Sequence, residues 1–176
     1  MSLGQRLESI EGEQQRLNLV KTYNYARLLS QDPATNTGAL IVSADFIKEI
    51  TFGVNSFPSG VEVTDELLAD KTWKYENIIH AEQAAIFTAA YLGKATKGAA
   101  IYAPWLSCAP CAKAIIASGI KTVIGHQQLI QQIPERWQES IGSALKMLEK
   151  AKVQVRMYNG TVGADPIMFN GAEYRP

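Results

Sequence analysis

In 176 residues the chain has only two cysteines and two histidines. Two cysteines cannot build the disulfide framework of a small secreted domain. Their separation by two residues, Cys108-Ala-Pro-Cys111, is instead the spacing of metal or redox chemistry in a reducing compartment. Net charge is missing too. Seventeen Lys and Arg balance 17 Asp and Glu, which removes the electrostatic footprint of a nucleic-acid partner. Charged residues are scarce in total, 19% against the ~25% of ordinary soluble domains, so part of the surface is expected to be covered in a homo-oligomer. All apolar runs fall well short of the ~20 residues of a membrane span, so no membrane partner is expected. Residues Met1 to Gln15 are polar and mixed in charge, unlike a secretory signal or a transit peptide, and the expected compartment is the cytoplasm.

Against these absences, apolar residues make up 47% of the chain. A chain of this length buries roughly 70% of its unfolded surface, enough for a core without staples. The reading is one domain over 1–176, with a core at 13–158 and a C-terminal arm at 159–176. Residues 13–30, with Leu17, Val20, Tyr23 and Ala26 at near-helical spacing, predict an amphipathic helix that stops before Asp32-Pro33. Gly38–Ser43 and 47–54 read as strands, Asn55–Gly60 as a loop, and 61–77 as irregular chain pinned by Trp73 and Tyr75. An Ala-rich helix follows at 78–92, then a strand at 99–103, a helix at 110–118 and a strand at 121–125. A further helix opened by Pro134 runs to Lys150, and a fifth strand occupies 153–158. Strands alternating with helices predict an α/β fold with a sheet covered on both faces.

The chemistry concentrates at two helix starts, His80-Ala-Glu82 and Cys108-Ala-Pro-Cys111. Zinc takes imidazole nitrogen and thiolate sulfur, and a catalytic site uses three protein ligands and leaves the fourth position open. In mid-helix His80 and Glu82 would point about 200° apart, but in a first turn both reach past the helix end. Helix N-termini also favour the thiolates that metal binding needs. With His80, Cys108 and Cys111 on one zinc ion per chain, Glu82 is left as a carboxylate beside it, free to carry protons. Taken alone, Cys-x-x-Cys also suits a redox pair or a structural half-site, and His-x-Glu also suits a buried histidine beside a surface glutamate. Their combination on adjacent βα units is far more specific.

That combination resembles the cytidine/deoxycytidylate deaminase superfamily, whose signature is His-x-Glu followed by Pro-Cys-x-x-Cys, and most closely its dCMP deaminases. Three further segments are similar: Ser30-Gln-Asp-Pro-Ala-Thr-Asn-Thr-Gly-Ala-Leu-Ile-Val42, Gly53-Val-Asn-Ser-Phe-Pro-Ser-Gly60 and Cys111-Ala-Lys-Ala-Ile-Ile-Ala-Ser-Gly-Ile-Lys121. The resemblance implies a three-layer αβα sandwich around a five-stranded mixed sheet. It also implies zinc-dependent hydrolytic deamination of a cytosine nucleotide, dCMP to dUMP, in an oligomer between dimer and hexamer. Asn55 would sit near the sugar of the nucleotide, and the Ala81 N–H would face the pyrimidine carbonyl. Alternatives are a nucleoside, a free base such as guanine, or tRNA adenosine as substrate, or a non-catalytic zinc-stabilised oligomerisation module. The last would need a fourth protein ligand, for which His126 is the obvious histidine.

The chain departs from the family pattern at Ser107, where proline usually precedes the first cysteine. It departs again at Ser59, where arginine usually stands. Serine cannot grip a phosphate bidentately, which weakens the expected 5′-monophosphate preference. Trp105 is a candidate to stack on a base, with a core or interface role as its equal rival. His126 reads as a solvated turn histidine. Arg27, Lys113 and Arg136 are weak phosphate candidates, and the aromatic tail 168–176 either caps the site or grips a neighbour.

Overall fold

The computed structural model describes residues 7–176. Its elements run β1 (Glu8–Ile10), α1 (Glu13–Leu29), β2 (Gly38–Val42), β3 (Glu49–Val54), α2 (Asp65–Ala69), α3 (Lys71–Asn77) and α4 (Ala81–Tyr91). They continue with β4 (Ala100–Tyr102), α5 (Ala109–Ala117), β5 (Thr122–His126), α6 (Gln127–Ile130), α7 (Glu135–Lys150), β6 (Gln154–Tyr158), β7 (Ile167–Phe169) and β8 (Ala172–Tyr174). The main sheet has order β1-β6-β5-β4-β2-β3. Its β1, β6, β5 and β4 are mutually parallel, whereas β2 is antiparallel to both β4 and β3. The expected mixed sheet is present with six strands rather than five. The additional strand, β1, is three residues at an edge, too short for periodicity to reveal, and is tied to β6 by Arg156 to Glu8 at 3.1 Å.

All five residues of β2 are buried, because both faces of the sheet are covered. Alternation sorts its side chains. Ala39 and Ile41 join Ile101, Val123 and Met157 under α4, α5 and α7. Leu40 and Val42 join Tyr102 and Ile124 on the opposite face, under α1 and the β7–β8 hairpin. The buried side of α1 is Leu19, Tyr23 and Ala26 with the polar Asn18 and Thr22, whereas Leu17 is 41% exposed. Asn18 is tolerated inside because its amide donates to Phe46 O at 2.9 Å and Tyr102 Oη at 3.1 Å. The Ala-rich α4 lies directly on β3. A Cβ at Gly53 would fall 2.2 Å from Ala85 N and 2.4 Å from Ala81 O.

Two segments differ from their sequence reading. Residues 61–77 contain α2 and α3 rather than irregular chain. Thr64 caps the first by accepting from Leu67 N, and Asp70 caps the second by accepting from Thr72 N and Trp73 N. These helices are too short for a hydrophobic period to register. Trp73 does pin them, stacked on Phe57 with centroids 5.4 Å apart. The C-terminal arm is a hairpin turning at Asn170-Gly171, both with positive φ (52° and 80°). This is the backbone of a tight β-turn, for which Asn-Gly is the strongest short signal. The hairpin packs back on its own chain, with Met168 and Asn36 exchanging hydrogen bonds of 2.8 Å and Gly171 N donating to Ala34 O.

Candidate metal centre and active-site cleft

The N-termini of α4 and α5 converge beside the sheet. His80 is the residue before α4 and Cys108 the residue before α5. Cys111 lies in the first turn of α5, and Pro110 falls where a missing N–H costs nothing. His80 Nδ1 lies 3.3 Å from Cys108 Sγ and 3.5 Å from Cys111 Sγ. The three donor atoms lie within 4.8 Å of one another. Tetrahedral zinc with ordinary Zn–S and Zn–N bonds separates nitrogen from sulfur by about 3.5 Å. One imidazole nitrogen and two sulfurs at these separations therefore fit a zinc ion without rearrangement. No fourth His, Cys, Asp or Glu joins the cluster among the described residues, which is the composition of an open site.

The electrostatics are those of a thiolate site. The Cys111 thiol, hydrogen-bonded to Cys108, brings Cys108 down to about 4, with burial opposing and His80 assisting. The Cys108 thiolate and burial push Cys111 up. The bond to Cys108 raises His80 above the ordinary imidazole value against burial. Glu82, in the first turn of α4, is 5% exposed. Burial raises its carboxyl above the ordinary range, the Cys108 charge adds to this, and His80 opposes it. Ser107 lies beside that carboxylate and favours its ionised form. Its own hydroxyl is buried without a partner at hydrogen-bond distance.

A cleft lined by both polar and apolar side chains opens onto these residues. His80, Glu82 and Cys108 line it together with Asn55 and Trp105. Asn55 is fixed by the local fold. The loop after β3 pairs with the segment before α4 through Ser56 N to Ile79 O (3.1 Å) and Ile79 N to Ser56 O (2.7 Å). That pairing sets Asn55 Oδ1 3.1 Å from the Ala81 N–H, which donates to it. An amide in the first turn of a helix has no partner within the helix, and here Asn55 satisfies it. In this structure, then, the Ala81 N–H is committed to Asn55, itself a residue of the cleft lining. Trp105 packs edge-on against Phe169 (4.8 Å) and Trp137 (6.1 Å).

His126 is not a solvated turn residue. It is 1% exposed. Its Nδ1 accepts from Tyr23 Oη at 2.7 Å, and its Nε2 lies 3.0 Å from Gly160 O. A buried imidazole between a hydroxyl and a carbonyl is a neutral structural group, away from the metal cluster. It supplies no fourth ligand. Of the three arginine and lysine candidates, Arg27 pairs with Asp165 at 3.0 Å and Lys113 is exposed on α5. Arg136 alone lines the cleft, and Ser59 is exposed and outside it.

Three residues of the site have no counterpart in the sequence reading. Trp137 on α7 meets His80, Trp105 and Tyr75 edge-on at 5.8, 6.1 and 6.3 Å. A tryptophan amid Glu135, Arg136, Gln138 and Glu139 was the available signal, since such a charged first turn has no local use for it. Asp32 lines the cleft and pairs with the buried Lys74 at 3.1 Å. No spacing rule connects those two positions.

Comparison with known proteins agrees with this geometry. Residues 13–127 match the model of the cytidine and deoxycytidylate deaminase zinc-binding region. The chain is 35% identical over 102 residues to mouse deoxycytidylate deaminase, covering 54% of each chain. It is 39% identical over 99 residues to ComE operon protein 2 of Bacillus subtilis strain 168, covering 54% of this chain and 50% of that one. The match thus spans about half the length of these relatives. The crystal structure of dCMP deaminase from cyanophage S-TIM5 shares the fold, with a TM-score of 0.61 at 18% identity over 84% of this chain and 99% of that one.

Proposed function

The chain belongs to the cytidine and deoxycytidylate deaminase zinc-binding family, and from that premise we propose that it hydrolyses dCMP to dUMP and ammonia. One observation carries the reading: three zinc donors with no fourth beside them among the described residues, and a buried carboxylate, Glu82, bordering the same cleft. His80, Cys108 and Cys111 would hold the ion, which when bound would make water a competent nucleophile near neutral pH. Glu82 takes a proton from the attacking water and delivers it to ring N3. It passes the next to the departing amine, so that water replaces ammonia at C4 and no proton is left over. A carboxyl raised by burial is suited to holding the proton between those transfers.

Trp105 and Trp137 flank the base, and Asn55, anchored by the Ala81 N–H, faces the sugar. The chain acts as one deaminase domain with its core at 13–158. The exposed Phe87, Tyr91 and Leu92 at the end of α4 (53, 89 and 52%) give a homo-oligomer an apolar face. Free thiols kept as metal ligands favour a reducing compartment, and the proposed location is the cytoplasm.

The test is ammonia release by the zinc-loaded protein from dCMP, deoxycytidine, cytosine, guanine and adenosine, beside the Glu82→Gln variant. The expected result is turnover of dCMP above the others, and a variant that keeps its zinc but releases no ammonia. Turnover by Glu82→Gln would remove Glu82 from the chemistry. Turnover of guanine or adenosine in place of dCMP would replace the substrate.

A further inference from the structure

We propose that Arg136, held by the C-terminal hairpin, is the anion anchor of the cleft that selects a 5′-phosphorylated substrate. The inference rests on the deaminase reading and extends it to the phosphate. Among the charged side chains lining the cleft are Asp32, His80, Glu82 and Arg136. Asp32 is neutralised by Lys74 at 3.1 Å, and the charge of a zinc ion is balanced by two thiolates. Glu82 is committed to the reacting end. Among the described residues lining the cleft, Arg136 is therefore the one arginine or lysine, and no carboxylate pairs with it.

The guanidinium has five N–H donors and uses one. Its Nη2 donates to Asn170 Oδ1 at 2.9 Å, and it makes no ion pair among the described residues. Asn170 sits at the turn of the β7–β8 hairpin, where its own N–H donates to Thr35 Oγ1 at 3.2 Å and the neighbouring Gly171 N donates to Ala34 O at 2.8 Å. Thr35 itself lines the cleft. The hairpin turn thus joins the 32–38 segment of the cleft lining to Arg136 on α7. It holds one edge of the guanidinium and leaves the remaining donors for a ligand. A fork restrained in this way loses less entropy on binding phosphate than a free surface arginine does. Arg136 also stands in the first turn of α7, a 16-residue helix whose start has no side-chain cap, so the helix dipole adds to the same positive edge. The ligand chemistry that fits is a dianionic phosphate on a nucleoside whose base reaches the metal end.

The experiment compares kcat/KM for dCMP and for deoxycytidine in zinc-loaded wild type, Arg136→Gln, Arg136→Lys and Asn170→Ala. It is run beside calorimetric binding of dCMP and of inorganic phosphate to the same proteins. In Arg136→Gln the dCMP-to-deoxycytidine ratio is expected to fall about 10- to 100-fold, mostly through KM, as for a lost charged hydrogen-bond pair. Arg136→Lys restores part of it, and Asn170→Ala lowers it by roughly 2- to 5-fold. The Arg136 side chain is exposed, so its two variants keep the fold, and a melting curve of Asn170→Ala, placed at φ 52°, separates turn strain from loss of the contact. An unchanged ratio, or unchanged binding of dCMP in Arg136→Gln, overturns the proposal. If the wild type deaminates neither cytosine compound, the deaminase reading fails. The binding measurement then decides the anion site by itself: phosphate affinity that disappears with Arg136 supports it, and affinity that survives overturns it.

Discussion

Substituting Gly53 by alanine is expected to damage both stability and the metal centre, whereas the same substitution at Gly142 is expected to help. A Cβ at Gly53 would lie 2.2 Å from Ala85 N, 2.4 Å from Ala81 O and 2.7 Å from Ala84 C. All three are backbone atoms of α4, so no side chain can swing aside. Ordinary contact begins near 3.4 Å, so β3 and α4 must separate by about 1 Å. Overpacking costs about 1–3 kcal/mol, and a clash against helix backbone in the core falls at the upper end. For a domain of this size, about 3 kcal/mol lowers Tm by roughly 6–12 °C. Because α4 begins at His80 and Glu82, the shift also moves one ligand and the proton carrier away from Cys108 and Cys111. A displacement near 1 Å costs about 100-fold in turnover. Gly142, in the middle of α7, has open space for 4 Å around the place where a Cβ would stand and a φ that any L-residue adopts. Alanine there is expected to stabilise by about 0.4–1 kcal/mol through the unfolded chain and helix propensity. Urea melts followed by circular dichroism, zinc content and ammonia release measure all three effects. A Gly53→Ala protein that melts with the wild type and keeps its turnover would refute the claim that β3 and α4 touch backbone to backbone.

Other perturbations reach different parts of the molecule. Asp32→Asn strands the Lys74 charge at a site where both side chains are under 10% exposed. It should cost about 3–5 kcal/mol, with partial recovery in an Asp32→Asn, Lys74→Met double variant; equal melts for the single and double variants would contradict the pairing. Burial holds the His126 imidazole below its ordinary value, so the folded state takes up that proton less readily than the unfolded chain. The resulting stability is full above the unfolded value of about 6.5 and is lost as pH falls toward the folded one. A His126→Phe protein should show a shallower fall of urea midpoint on acidification, and an unchanged slope removes His126 as the cause. Stripping zinc with a chelator should lower Tm reversibly, by the equivalent of about 2.7 kcal/mol when free zinc had stood a hundredfold above Kd. A Tm indifferent to zinc would mean that the cluster does not bind the ion in the folded protein.

Much of the molecule is legible in local sequence, because local rules depend on near neighbours. The apolar run of β2, the Ala-rich α4, and the capping positions of His80 and Cys108 follow from spacing and side-chain type, and so does the chemistry of two thiols and an imidazole. The Asn170-Gly171 turn was equally readable from its residue pair, although a hairpin of three-residue strands leaves no hydrophobic period around it. The edge strand β1 and the short helices α2 and α3 fall below the length at which periodicity can be recognised. His126 shows the opposite failure: a polar residue at a strand end looks solvated until Tyr23, 103 positions away, is found to cover it. The same holds for the cleft. Trp137 over His80, Lys74 against Asp32, and Arg136 tied to Asn170 join residues 34 to 57 positions apart or on unrelated elements. The sequence alone therefore determined which atoms can bind zinc and carry protons, since that is a property of side-chain chemistry and helix-start spacing. Only the tertiary structure decided what surrounds them, because a cavity wall is made by long-range packing of elements whose sequences carry no mark of one another.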